Sequence, residues 1–261
     1  MKRSSGARVG ATVAVGAVAL ALITGCSSDD SKGSDEGKGK GKEGAATPTT
    51  AAKALSAAEL EKLLLADADL DAKKYKVEDG DDTLPKSKAG VKADKSECEA
   101  LVWATGALPP GDTDAAASNT VSQVPGGSGG DAPEDISDAL NINMTFVGLS
   151  SYDGDGAEKA MKLVSDGVSA CGGGYGMTAE GETTKVTKIA TAKSSGQGDE
   201  SVAYVQSVDM DGEGTADFKT EVVRKGNTIA TFYSFDLAAL GSGKPSEIPA
   251  DVISAQLGKI K

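Results

Sequence analysis

Four segments in the C-terminal part of the chain, Thr183–Ala192, Ser201–Asp209, Asp217–Arg224 and Thr228–Phe235, are rich in Val, Thr, Ile and aromatic residues at a period near two. That composition and spacing suit strands on a pleated, half-buried surface. The gaps between them are too short for the dozen or more residues that a parallel crossover needs, so consecutive strands must run antiparallel. The last gap, Lys225-Gly226-Asn227, predicts a tight hairpin with glycine supplying a positive φ. Leu140, Ile142, Met144 and Phe146 alternate with Asn141, Asn143 and Thr145, which predicts a further half-buried strand.

A meander of this kind must bury one face, and the amphipathic segments are what it has to bury it with. Ser56 and Glu59 form a capping-box pattern ahead of Leu60, Leu63 and Leu64, which share a helical face. Asp94-Lys95-Ser96-Glu97 opens a second helix carrying Cys98, Leu101 and Val102, with Gly106 as its stop. Trp103 lies beside that stripe as a packing anchor, with ligand stacking as its alternative use. Asp155 and Glu158 start a third helix, in which Ala157, Ala160, Met161, Val164, Val168 and Cys171 recur at helical spacing before Gly172-Gly173-Gly174. A last helix begins near Pro249 and presents Ile253, Leu257 and Ile260. The expected fold class is α+β: an antiparallel β-sheet of about five to six strands with amphipathic helices packed on one face.

Everything before Leu55 is of a different character. The first eight residues carry Lys2, Arg3 and Arg8 and no acid, and Val9 to Ile23 is apolar or small throughout. This is the outline of a signal peptide; as a helix the apolar run would span only about 22 Å, short of a ~30 Å hydrocarbon core. Leu22-Ile23-Thr24-Gly25-Cys26 then resembles the lipobox of bacterial lipoproteins. The resemblance implies cleavage between Gly25 and Cys26 and a diacylglyceryl group on the Cys26 sulfur, often with a further acyl chain such as palmitate on the new amino group. Two or more chains anchor stably where one does not. An ordinary secretory signal with a chance cysteine is the alternative.

From Ser27 to Ala54 the residues are Ser, Gly, Lys, Asp, Glu, Thr, Ala and a single Pro, too polar for a core, so this stretch is expected to be a flexible tether. All aromatic residues lie beyond Leu55. The expected organisation is therefore a signal peptide over 1–25, a lipidated N-terminus and polar tether over 26–54, and one domain of about 200 residues over 55–261.

Loss of Lys2, Arg3 and Arg8 with the signal takes the formal charge from −12 to −15. Such a surface repels phosphate backbones, which excludes nucleic acid as a partner. The chain contains no histidine, so a metal site would need oxygen ligands and the commonest general base is missing. With Cys26 lipidated, Cys98 and Cys171 remain, both on apolar helix faces and in an oxidising compartment. A disulfide between them is the economical reading, two buried thiols the alternative.

The order of lipobox, polar tether, "LSAAELEKLLLADADL", "SACGGGYG" closing a helix, "GDESVAYV" and "EVVRKGNTIATF" resembles actinobacterial lipoproteins. Their soluble part is similar to the extracellular sensor domain of mycobacterial receptor serine/threonine kinases. The resemblance implies an antiparallel sheet with packed helices and a surface cleft for a ligand. Those sensor domains carry two disulfides where this chain has cysteines for one, and no cleft residue is carried over.

Enzymatic motifs are few. Gly126-Gly127-Ser128-Gly129-Gly130 matches G-x-S-x-G by letter, but it follows Pro125 in a low-complexity run without a strand, a helix or a histidine to serve it. Asp209, Asp211, Glu213, Gly214 and Asp217 fall on positions 1, 3, 5, 6 and 9 of a calcium-binding EF-hand loop, yet Thr220 stands where that loop needs a bidentate Glu. Strand-like flanks make an acidic hairpin without a specific metal site the expectation, and no cofactor is implied. The expected function is a non-catalytic ligand-binding or sensor module, held on the extracytoplasmic face of the cell membrane by Cys26, with a small ligand or an envelope protein as partner. An envelope protein-protein or cell-wall interaction protein and a carboxylate-dependent hydrolase are the alternatives. A deep apolar pocket marks the first, a flat exposed apolar patch the second, and a cleft with carboxyls roughly 5 to 9.5 Å apart the third.

Overall fold

A computed structural model describes residues 53–80, 84–124, 143–179, 181–212, 214–236, 239 and 244–261. The lipobox, most of the tether, the Gly126–Gly130 run and the residues from Leu140 to Ile142 lie outside them. In chain order the helices are α1 (Ala57–Glu61), α2 (Glu99–Thr105), α3 (Gly156–Ala170) and α4 (Ala250–Lys259). The strands are β1 (Tyr75–Asp79), β2 (Val91–Ala93), β3 (Ala116–Gln123), β4 (Asn143–Ser151), β5 (Tyr175–Ala179), β6 (Glu182–Ala192), β7 (Glu200–Asp209), β8 (Thr215–Lys225) and β9 (Thr228–Asp236).

All nine strands join one sheet in the order β1-β3-β4-β9-β8-β7-β6-β5-β2, antiparallel at every step. The expected meander is its centre, β6 to β9, and Gly226 turns the last hairpin at φ 61° with Lys225 paired to Thr228. The expectation of five to six strands falls short of the nine observed. β1, β2, β3 and β5 were not expected because they are short, polar or glycine-rich, and they are held by pairing with neighbours rather than by their own hydropathy.

The expectation that helices cover one face is also corrected. Val222 and Val223 are adjacent on β8, point to opposite faces, and are both fully buried. Val222 joins a core with Leu101 of α2 and Met161 and Val164 of α3. Val223 joins a second core with Leu60 of α1 and Ile253 and Leu257 of α4. A central strand buried on both faces loses the simple inside-outside alternation from which a one-sided sheet was inferred. β4 shows the same effect: Asn143 and Thr145, expected to face solvent, are buried, whereas Met144 and Phe146 are half-buried.

The helices form where their apolar spacing placed them. In α3 Ala157, Ala160, Met161, Val164 and Gly167 are buried at three- and four-residue spacing. Asp155 stands at its N-cap, but its carboxylate pairs with Lys159 at 2.8 Å rather than capping the helix. Beyond α3, Gly174 takes φ 80°, and a Cβ there would lie 2.1 Å from the Val186 carbonyl oxygen, so the chain can turn into β5 only with glycine. Cys98, just before α2, and Cys171, just after α3, are joined in a disulfide and fully buried.

Candidate functional site

The sheet has five steps between β4 and β5. At roughly 20–25° of twist per step, the two strands are rotated by about 100–125° relative to each other. Residues of both strands and of the end of α2 line one cleft of about 890 Å³. Phe146 of β4 and Tyr233 of β9 form one wall, and Met177 and Ala179 of β5 with Val91 of β2 the other. Val102, Thr105 and Gly106 at the end of α2 form the floor, and Leu84, Pro85, Lys86, Ser87 and Gly90 border it.

The aromatic wall is a consequence of register. Phe146 and Tyr233 are direct cross-strand partners, and their rings stack at 5.8 Å with 16° between planes. Phe218 of β8 meets Tyr233 at 5.9 Å, and Phe235 stacks on Phe218 at 5.6 Å. This makes a row of four rings that ends at Phe146 in the cleft. Aromatic pairs at such separations add about 0.5–1.5 kcal/mol each beyond the area they bury.

Behind the floor lies a set of neutral polar groups. The Leu101 carbonyl accepts from Thr105 Oγ1 at 2.9 Å and from Tyr204 Oη at 3.0 Å. Thr105 Oγ1 is also 3.3 Å from Gln206 Oε1, and both side chains are buried. Tyr175 Oη is buried without a hydrogen-bond partner among the described residues. Burial pushes the Tyr204 hydroxyl up to about 12, against the downward pull of Thr105 and Thr220. It raises Tyr233 too, helped by the nearby Tyr204, and raises Tyr175 with both other tyrosines adding to the effect. The three phenols stand close enough to influence one another, and all remain neutral near pH 7.

Among the described lining residues the charged ones are Lys86 and Glu182, of opposite sign and both exposed at the cleft border. Glu182 is the one carboxylate among them. Beside the cleft, Lys88 Nζ sits 4.1 Å over the Trp103 ring and donates to the Gly111 carbonyl. Burial lowers the pKa of Lys88, and Asp112, Glu99 and Asp114 oppose the shift. Trp103 thus offers one ring face to a cation of its own chain and does not line the cleft.

The residues singled out from sequence fall elsewhere. The disulfide of Cys98 and Cys171 ties the start of α2 to the end of α3, while Gly25 and Cys26 lie outside the described residues. Asp209 and Asp217 flank a β-hairpin connection, not a loop between helices. Asp209 Oδ1 accepts from the Gly212 amide at 3.1 Å, and Asp217 Oδ1 accepts from the Ser207 hydroxyl at 2.5 Å. Among the described residues no three of His, Cys, Asp and Glu gather where a metal ion would sit. The cleft residues were missed because they come singly from separate elements. The one signal pointing to them was the apolar pair Met144 and Phe146 on a strand.

No protein-family model and no curated protein matches the chain. Among solved structures it is similar to the extracellular domain of PknH from Mycobacterium tuberculosis, at 14% identity and a TM-score of 0.45, over 80% of this chain and 96% of that one. An Rv0999 ortholog from Mycobacterium smegmatis is similar at 14% identity and a TM-score of 0.30, over 78% of this chain and 94% of that one. At these values no ligand, partner or activity passes from either protein to this chain.

Proposed function

We propose that the chain is a non-catalytic ligand-binding or sensor module, held on the extracytoplasmic face of the cell membrane by lipid on Cys26. The observation that carries the binding part is the cleft of about 890 Å³, within the range of small-molecule sites, with an aromatic wall and a few convergent polar groups. The lipobox-like Leu22–Cys26 segment supports the anchor, and the polar stretch 27–54 would give the domain a reach of roughly 30 Å from the membrane. The alternative of a protein-docking surface has less support. The large apolar residues exposed among those described are Val124 just after β3, Leu163 in α3 and Met210 just after β7, single residues from separate parts of the chain.

Native mass spectrometry of the chain purified from its own host tests this reading. A stoichiometric small-molecule adduct is expected, released by organic solvent and absent in a Gly90→Leu variant. Gly90 lines the cleft and a Cβ there meets nothing within 4 Å, so a side chain can be started at this position without a clash at its first atom. An adduct that persists unchanged in the variant, or no adduct from any growth condition, would contradict the binding role.

A further inference from the structure

The geometry points to an uncharged ligand with a flat ring that extends the aromatic row, and with a hydroxyl or carbonyl group at its inner end. This rests on the reading of the cleft as a binding site and adds the chemistry of what it takes. The row Phe235–Phe218–Tyr233–Phe146 ends in the cleft, and among the described residues no further aromatic ring stacks on Phe146. A planar ring is the partner that such a surface accepts with the most contact and the least entropy loss.

The inner end is specified by the floor. Thr105 lines the cleft, and its hydroxyl is engaged with the Leu101 carbonyl and lies near Gln206. Tyr233 lines it as well, next to buried Thr220 across the strand pair. Immediately behind stands Tyr175, 3% exposed, with a hydroxyl that has no partner among the described residues. An unsatisfied buried hydroxyl is costly, so a ligand oxygen drawn to this end of the site, directly or through water, offsets part of that cost.

A charge is disfavoured on two counts. Among the described residues the lining places no counter-charge at the floor, since Lys86 and Glu182 lie at the border and the buried phenols are neutral. A charged ligand end would lose its hydration there without a counter-ion, which is unfavourable for either sign. An anion would also approach a chain of formal charge −12, or −15 once the signal is removed.

The test uses three naphthalene probes that share the ring and differ at one end: 2-naphthol, naphthalene-2-sulfonate and 2-naphthylmethylammonium. Each is titrated calorimetrically at pH 7 into the full chain carrying Cys26→Ala and into the same chain with Phe146→Ala, Tyr175→Phe or Gly90→Leu. The expected result is one saturable site for 2-naphthol, weakened at least tenfold by Phe146→Ala or Gly90→Leu. Tyr175→Phe should weaken it about fivefold, as loss of one hydrogen bond would, and both charged probes should bind at least tenfold more weakly than naphthol. If a charged probe binds as tightly as naphthol and is equally sensitive to Gly90→Leu, the cleft is a site but the assignment of an uncharged ligand is wrong. If no probe shows a component sensitive to either Phe146→Ala or Gly90→Leu, both the ligand class and the cleft reading fall. Circular dichroism identifies any variant that unfolds, in which case Gly90→Leu decides.

Discussion

Removal of the disulfide should cost this fold a large share of its stability. Cys98 and Cys171 are 73 residues apart in sequence and fully buried, so the double change Cys98→Ala/Cys171→Ala opens a long loop in the unfolded chain. On a chain-entropy argument, closing a loop of that length removes roughly 15 cal/mol/K from the unfolded state, or about 4 kcal/mol at 25 °C. For a domain of this size that corresponds to a fall in Tm of about 8–16 °C, or a urea midpoint lower by roughly 2 M at a slope near 2 kcal/mol per molar. Urea unfolding followed by far-UV circular dichroism, with and without dithiothreitol, measures it. The reductant should lower the midpoint of the native chain toward that of the double variant and leave the variant itself unmoved. Because the bridge joins the approach to α2 with the end of α3, hydrogen exchange should rise in Glu99–Thr105 before it rises in α4, which lies on the opposite face. A loss below about 1 kcal/mol, or a native midpoint insensitive to reductant, would refute the reasoning.

Stability should fall at alkaline pH. The folded Tyr204 and Tyr75 hydroxyls are raised to about 12, so the folded state holds protons that the unfolded state releases above pH ~10, and stability is lost between pH 10 and 12. Urea midpoints between pH 8 and 11.5 should decline above pH 10, and less steeply in Tyr204→Phe. Calcium should bind the connection after Asp209 no more tightly than the millimolar range, because Asp217 is engaged by Ser207 and Thr220 replaces the bidentate Glu. A calorimetric Kd below about 10 μM that disappears in Asp211→Ala would show otherwise. Cys26→Ala should leave the precursor unlipidated and uncleaved, so a variant that matures and fractionates with the membrane like the native chain would remove the anchor from the account.

How much of this could be read from the residues differs by element. β6 to β9 were legible because their Val, Thr, Ile and aromatic content repeats at a period of two and their turns are short. β3 was not, since Ala116–Gln123 is mostly small and polar, and it buries Asn119 and Thr120 as well as Val121. Asn119 succeeds there because its amide donates to the Leu65 carbonyl, a tertiary contact no local pattern announces. β2 is three residues long and exists because it pairs with β5. The four helices were legible from caps and apolar spacing, although α1 ends at Glu61, before Leu63 and Leu64.

The cleft was not legible for a related reason. Phe146, Tyr233, Thr105 and Met177 each look like ordinary packing residues of their own element. They become neighbours only in the fold, where residues of β4, β5 and the end of α2 line one cleft. In the sequence, the striped acids and the glycine-rich run around Ser128 drew attention instead, because they resemble chemistry by letter. Asp209 and Asp217, which flank the hairpin connection, are held by the Gly212 amide and by Ser207.

The most direct measurement is a crystal structure of the chain purified from its own host with whatever it retains. Electron density for a planar molecule lying against Phe146, with a polar atom at the Thr105 and Tyr233 end of the cleft, is the result this account predicts. A retained molecule seated elsewhere on the domain, with only ordered water against Phe146 and Tyr233, would contradict it.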